Sequence, residues 1–249
     1  MNMKKNLKIF ALAFSVISML CTLQVKAAVQ EPKANYEAKG LSYYIKENTS
    51  SVSVKITSGK SVVDIPETVF IEKKEYTVTE LLSNSIPHDS IIVESKYKKV
   101  GRDAKEYVKN NKTQTINIPK TVKKIEKGAF SYYSKLKKIN VAEENPVYMS
   151  TEKGLFSKNG KILYAAVQGT GTYKVRKGVE VIADRAFVAT KYEKVILPES
   201  CYKVGSRAFF RCSKLKKVQG KSFCVCGNYA FYGTKVKGTD KYGTMKFAI

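Results

Sequence analysis

Few residues in this chain have the type and spacing to do chemistry, and most of those fail at the first requirement. The single histidine, His88, stands in Pro87-His88-Asp89 with no nucleophile elbow and no zinc-ligand spacing around it. Hydrolytic and metal-assisted mechanisms therefore lack their usual base or ligand set. Gly169-Thr170-Gly171 lacks the Gly-Lys-Ser/Thr ending of a phosphate loop and reads as a turn. The acids are too scattered to single out a glycosidase pair. Catalysis is thus not expected, and no metal or cofactor is implied. Two groups remain. Cys224-Val225-Cys226, with Cys201 and Cys212 upstream, invites a metal or thiol–disulfide reading. Lys138, Lys194 and Lys217 each directly precede the first apolar residue of a short alternating run, with Lys137 and Lys216 flanking two of them. Such a row could track a polyanion, or it could be an ordinary solvated set in a lysine-rich chain.

The overall charge makes an acidic partner worth weighing. The 249 residues carry a formal net charge of +24. A field of that size favours acidic glycans and polymers, anionic surfaces and, as an unspecific polyanion, nucleic acid. Charge alone names no ligand.

The elements that must position these groups come from a repeat. Three segments align without gaps on an Ala-Phe pair: Val181 to Phe187, Lys203 to Phe209 and Val225 to Phe231. The phenylalanines are 22 residues apart, and an earlier copy, Lys124 to Phe130, lies 57 before Phe187, one repeat plus an insertion of 35. Lys99 to Lys105 matches with lysine in the aromatic slot, and Glu80 to Ile86 matches in outline, which makes six rungs. Before each Ala-Phe comes an alternating run such as Ile116-Asn117-Ile118, Tyr173-Lys174-Val175 or Val195-Ile196-Leu197. Period-two alternation predicts a brief strand with one buried face. Small alanine beside large phenylalanine suits a tight turn or one helical turn packed inward. One rung cannot bury its apolar face alone, whereas stacked rungs make a continuous core.

Ala208-Phe209-Phe210-Arg211-Cys212-Ser213-Lys214-Leu215, together with Ile116-Asn117-Ile118-Pro119-Lys120-Thr121-Val122-Lys123-Lys124-Ile125, resembles the BspA-type leucine-rich repeat. The likeness covers roughly residues 62–238 and is strongest from Thr115 onward. Departures fall at Lys105 and, in the cysteine slot, at Tyr133 and Thr190. The resemblance implies a β-rich, leucine-rich-repeat-like solenoid of short strands and turns. It also implies a secreted or cell-surface bacterial protein that binds or adheres to host matrix, cells or acidic polymers. The alternative is a structural or accessory envelope module without its own ligand. Leu155-Phe156, Lys158-Asn159-Gly160-Lys161 and Ile162-Leu163-Tyr164 read as an inserted β-hairpin, about 143–172, whose Asn-Gly accepts positive φ at both central positions. Its aromatics Tyr148, Phe156 and Tyr164 offer a second ligand surface. Residues 28–61 read as a strand-rich N-terminal cap and 239–249 as a C-terminal tail or cap.

The repeat also bears on the thiols. Cys226 takes the slot of Ile125, Ile182 and Val204, and Cys201 that of Val122 and Val179, while the resemblance gives Cys212 as an inward residue. These read as small core residues, with Cys224 alone outward; a disulfide remains the alternative.

At the N-terminus, Lys4, Lys5 and Lys8 precede an apolar run from Ile9 to Leu23, and Val25-Lys26-Ala27 follows. This predicts a secretory signal peptide over 1–27. The run is short for a membrane span, and Leu20 before Cys21 is unlike the small residue of a lipoprotein site. Removing 1–27 takes away four lysines and no acid, leaving +20. No later stretch is apolar enough to span a membrane.

Overall fold

The computed structural model describes residues 34–57, 59–83, 112–220 and 224–238. The signal-peptide segment, His88, the Lys99–Lys105 copy and the C-terminal tail lie outside them.

Short alternating runs become short strands that pair rung to rung. Ahead of the array, β1 (Tyr36–Ala38), β2 (Leu41–Ile45) and β3 (Ser51–Ile56) form an antiparallel cap. Six rungs follow. The first holds β4 (Val62–Asp64), β5 (Thr68–Ile71) and β6 (Lys74–Leu81); the second β7 (Thr115–Ile118) and β8 (Lys124–Ile125). The third holds β9 (Lys138–Val141), β10 (Tyr148–Thr151), β11 (Gly154–Ser157) and β12 (Ile162–Ala166). The last three are β13 (Thr172–Lys174) with β14 (Val181–Ile182), β15 (Lys194–Ile196) with β16 (Lys203–Val204), and β17 (Lys217–Gln219) with β18 (Val225–Cys226).

Two rows of parallel pairs run along the array. One row is β4-β7-β9 and, separately, β13-β15-β17. The other is β3-β6-β8 and then β12-β14-β16-β18. Val181, Lys203 and Val225 pair in series, as the gapless alignment predicts. Glu80 and Leu81 of β6 pair directly with Lys124 and Ile125 of β8. The inserted segment supplies strands of the third rung, whose Leu163 pairs with Ile182 in the inward slot.

Among the described residues there is no helix. The Ala-Phe segments are tight turns, and each uses the left-handed region twice. Gly128, Arg185, Arg207 and Tyr229 have φ of 80, 61, 56 and 57°, and Tyr132, Ala189, Arg211 and Gly233 have 66, 57, 58 and 74°. For the non-glycine residues this costs about 1–2 kcal/mol each. Main-chain hydrogen bonds between turns offset it: Arg185 N donates to Ser206 O (3.1 Å), Phe187 N to Ala208 O (2.7 Å) and Ala189 N to Phe210 O (2.9 Å). The next pair of turns repeats the pattern from Arg207, Phe209 and Arg211 to Asn228, Ala230 and Tyr232. Under these turns Phe187, Phe209 and Phe231 stack with centroids 4.7 and 5.2 Å apart.

The inserted hairpin is a wall. β11 is buried along its whole length, and its alternation sends Leu155 into the N-terminal core and Phe156 into the C-terminal core. Gly154 lets β12 approach, because a Cβ there would lie 2.0 Å from Ala165 O. The turn from Ser157 to Ile162 has positive φ only at Gly160, not at Asn159. Asn159 instead accepts hydrogen bonds through Oδ1 from Ser157 Oγ (2.7 Å) and Lys161 N (3.1 Å), and that local bonding holds the turn in a four-residue form.

Candidate functional site

Chemistry-bearing groups lie in three places: the outward face of the β4–β17 row, the thiols near the last rung, and the turn side.

On the strand face, pairing places Lys194 beside Lys217, with Thr172 next to Lys194. Inward partners Tyr173 and Val195 are fully buried, so alternation turns the flanking lysines outward. Lys138 does not join them. It pairs with Thr115 in the separate β4-β7-β9 sheet, because the long third rung intervenes between β9 and β13. Among the described residues, Lys138, Lys174, Lys194 and Lys217 form no ion pair, whereas Lys216 is held by Glu193 at 3.0 Å. The face over β4-β7-β9 carries an amide row instead, with Asn140 Nδ2 donating to Asn117 Oδ1 (2.6 Å) and Asn117 Nδ2 to Asp64 Oδ1 (2.5 Å).

The thiols are free, and one expectation is corrected. Cys201, Cys212 and Cys224 are buried and Cys226 is half-buried. Cys224 and Cys226 are two residues apart, so they share a face; the residue turned outward is Val225, 69% exposed. Cys226 does occupy the inward slot, pairing with Val204. Cys212 donates to Phe187 O at 2.8 Å, and burial pushes its thiol up to about 11. A hydrogen bond from Cys224 draws the Cys226 thiol below its ordinary value. Among the described residues no group of three or more His, Cys, Asp or Glu side chains is placed to hold a metal ion.

On the turn side, the third rung has a strand where its neighbours have a turn. The space left between the turns of rungs two and four is a cleft of about 410 Å³ lined by Phe130, Tyr133, Tyr164, Gln168 and Arg185. The Lys127–Asp184 ion pair (2.8 Å) bridges its rim. Phe130 is only half-buried here, as it lacks the neighbouring ring that covers Phe209. The hairpin aromatics are less available than their sequence suggests. Phe156 is 1% and Tyr148 5% exposed, and Tyr148 Oη accepts a hydrogen bond from Ile125 N (3.0 Å).

A second hollow, of about 380 Å³, lies on the turns of the last rungs, where Arg185, Ser206, Arg207, Asn228 and Tyr229 meet Lys127 and Asp184. Sequence reasoning missed Arg207. Arginine recurring in the slot just before the Ala of two adjacent copies, at 185 and 207, was the available signal.

A stack of short parallel strands on one side and interlocked turns on the other, with phenylalanines stacked under the last three turns, defines a leucine-rich-repeat solenoid. The model of the BspA type leucine rich repeat region matches six copies over residues 48–177 and 180–242. The chain belongs to the BspA-type leucine-rich repeat family. A search of curated proteins gives no match. Among solved structures, the chain is similar to a leucine-rich repeat protein from Eubacterium ventriosum (23% identity over 47% of this chain and 38% of that one, TM-score 0.38). It is also similar to one from Bacteroides ovatus (17%, 81% and 57%, TM-score 0.42) and to the pneumococcal vaccine antigen PcpA (16%, 84% and 77%, TM-score 0.40). The chain thus spans well under two thirds of the first two proteins. No helix among the described residues is long and apolar enough to cross a membrane.

Proposed function

We propose that this chain is a secreted or cell-surface bacterial binding module rather than an enzyme, and that its strand face holds an acidic polymer such as a host-matrix glycan. The observation that carries this is the pairing of Lys194 with Lys217 on adjacent rungs, neither ion-paired with a carboxylate among the described residues. Like charges directly opposite on neighbouring strands are destabilising. At a strand spacing of about 4.8 Å, an anionic chain crossing the rungs relieves that repulsion. Lys138 offers a further cation on the separate β4-β7-β9 sheet, and the net charge of +24 supplies long-range attraction.

Titration with heparin at several salt concentrations tests the reading, since each lysine engaged displaces condensed counterions and steepens the salt dependence. Replacing Lys138, Lys194 and Lys217 with glutamine should weaken binding and flatten that slope. The same change at the exposed Lys39, Lys73 and Lys158, in the β1–β2, β5–β6 and β11–β12 turns, should do much less. Equal weakening by the two triple variants would leave only generic charge attraction and refute the strand-face site.

A further inference from the structure

Arg207 is a buried cation that the fold leaves without a counter-charge. Its residue exposure is 7%, and its Nε is buried without a hydrogen-bond partner. Among the described residues no carboxylate comes within ion-pair distance of it. Burying a charge without pairing it is costly, and most buried guanidinium groups meet a carboxylate. Here two rings hold the group instead. Its central carbon lies 5.0 Å from the Tyr229 ring centre and 5.8 Å from that of Phe210, contacts that attract a cation but do not neutralise it. Burial draws its proton affinity below the ordinary arginine value.

The surroundings say what is missing. Arg207 lines the hollow of about 380 Å³ on the turn side, and Arg185, one rung earlier in the same slot, lines it too. Asp184, the one acid among the described residues that line it, is engaged, its Oδ2 with Lys127 Nζ (2.8 Å) and its Oδ1 with Ser206 N (2.9 Å). The space is too large for a bare inorganic ion and falls in the range of small-ligand sites. Ser206, Asn228 and Tyr229 add a hydroxyl, an amide and an aromatic ring. Left-handed backbone at Arg185, Arg207 and Tyr229 presents these side chains from consecutive turns at one repeat spacing.

We propose that this hollow binds an acidic sugar residue, its carboxylate on the Arg207 guanidinium and its hydroxyls on Ser206 and Asn228. The guanidinium is a planar fork that meets a carboxylate through two parallel hydrogen bonds, a geometry an ammonium group cannot reproduce. The site shares an anionic ligand class with the strand face but uses none of its lysines, so each stands or falls alone.

The experiment is a titration of the full chain with glucuronic acid, with glucose and sodium sulfate as comparisons, read by amide NMR shifts. Glucuronic acid should shift Ser206, Arg207, Asn228 and Tyr229 together, glucose should not, and sulfate should bind more weakly. Arg207→Lys, which keeps the charge, should lower glucuronate affinity at least about tenfold, as expected for losing a charge-assisted hydrogen bond. Asn228→Ala, at an exposed position, gives a second loss if the arginine variant does not fold. The strand-face triple variant should bind glucuronic acid like the parent even where its heparin binding is lost. Equal response to glucose, sulfate binding as tight as glucuronate, or an unchanged Asn228→Ala variant would overturn the proposal.

Discussion

Truncating Phe209 to alanine should be among the most damaging single changes in the molecule. Its side chain is fully buried and lies between Phe187 at 4.7 Å and Phe231 at 5.2 Å. Phenylalanine to alanine in a core costs about 3–5 kcal/mol. Aromatic pairs are worth about 0.5–1.5 kcal/mol beyond area burial, and Phe209 makes two such stacks, which puts it at the upper end of the core-truncation range, about 4–5 kcal/mol. Phe231 stacks on one neighbour in this column, which gives about 3–4 kcal/mol. Phe130, half-buried over the cleft, should cost only about 1–2 kcal/mol. Urea unfolding followed by far-UV circular dichroism would read these as midpoint shifts at constant slope. Phe209→Leu, which keeps most of the apolar bulk but removes the ring stack, should fall between the parent and Phe209→Ala. The ordering Phe209, Phe231, Phe130 is the content of the prediction. An unchanged midpoint for Phe209→Ala, or a Phe130→Ala cost as large as that of Phe209→Ala, would refute the stacked-rung reasoning.

Three more outcomes are expected. A thiol reagent under native conditions should label Cys226 first, because it is half-buried with a lowered thiol pKa, and Cys212 last; mass spectrometry showing Cys212 modified first would contradict the placement. At Glu80, burial works to raise the pKa, but hydrogen bonds from Lys124, Lys46 and Ser53 outweigh it and hold the carboxyl low. A folded pKa below the unfolded one adds stability above the unfolded value, near about 4.3, and that stability is lost as pH falls through the folded value. Glu80→Gln should therefore cost about 1.5–3 kcal/mol at neutral pH and progressively less in acid; a cost independent of pH would sink the assignment. Gly205→Ala should destabilise by about 1–3 kcal/mol, since a Cβ there would lie 2.5 Å from Asp184 N and 2.7 Å from the Ala183 carbonyl carbon; a variant with the parent's melting temperature would show that these turns do not interlock.

The repeat was legible wherever each rung spends the same side chain on the same slot. Ala-Phe at a spacing of 22 and the alternating run before it locate the strands, the turns and the pairing of Val181, Lys203 and Val225. The third rung was not legible as a rung, because it carries no Ala-Phe turn and uses a strand pair instead. The left-handed turns were hidden because arginine, tyrosine and alanine stand where glycine would have announced them; hydrogen bonds between rungs, invisible in a single copy, compensate the strain. Of the lysine edge, the pairing of Lys194 with Lys217 could be read from the period, while the separation of Lys138 depended on the hairpin. The placement of Cys224 was available from strand periodicity, as its face follows from that of Cys226 two residues on. Arg207 could be suspected as a recurrent arginine, but its missing partner shows only in three dimensions.

The hairpin wall bears on how such an array can change length over evolutionary time. Rungs four to six share one period and one stacking pattern, so a whole 22-residue unit could be duplicated or deleted there and the new neighbours would still fit. No such freedom exists at β11. A one-residue slip in a strand exchanges its two faces, and here it would turn Leu155 and Phe156 each into the other's core. The wall is therefore a fixed reference point, and variation in repeat number within proteins built this way should collect on its C-terminal side.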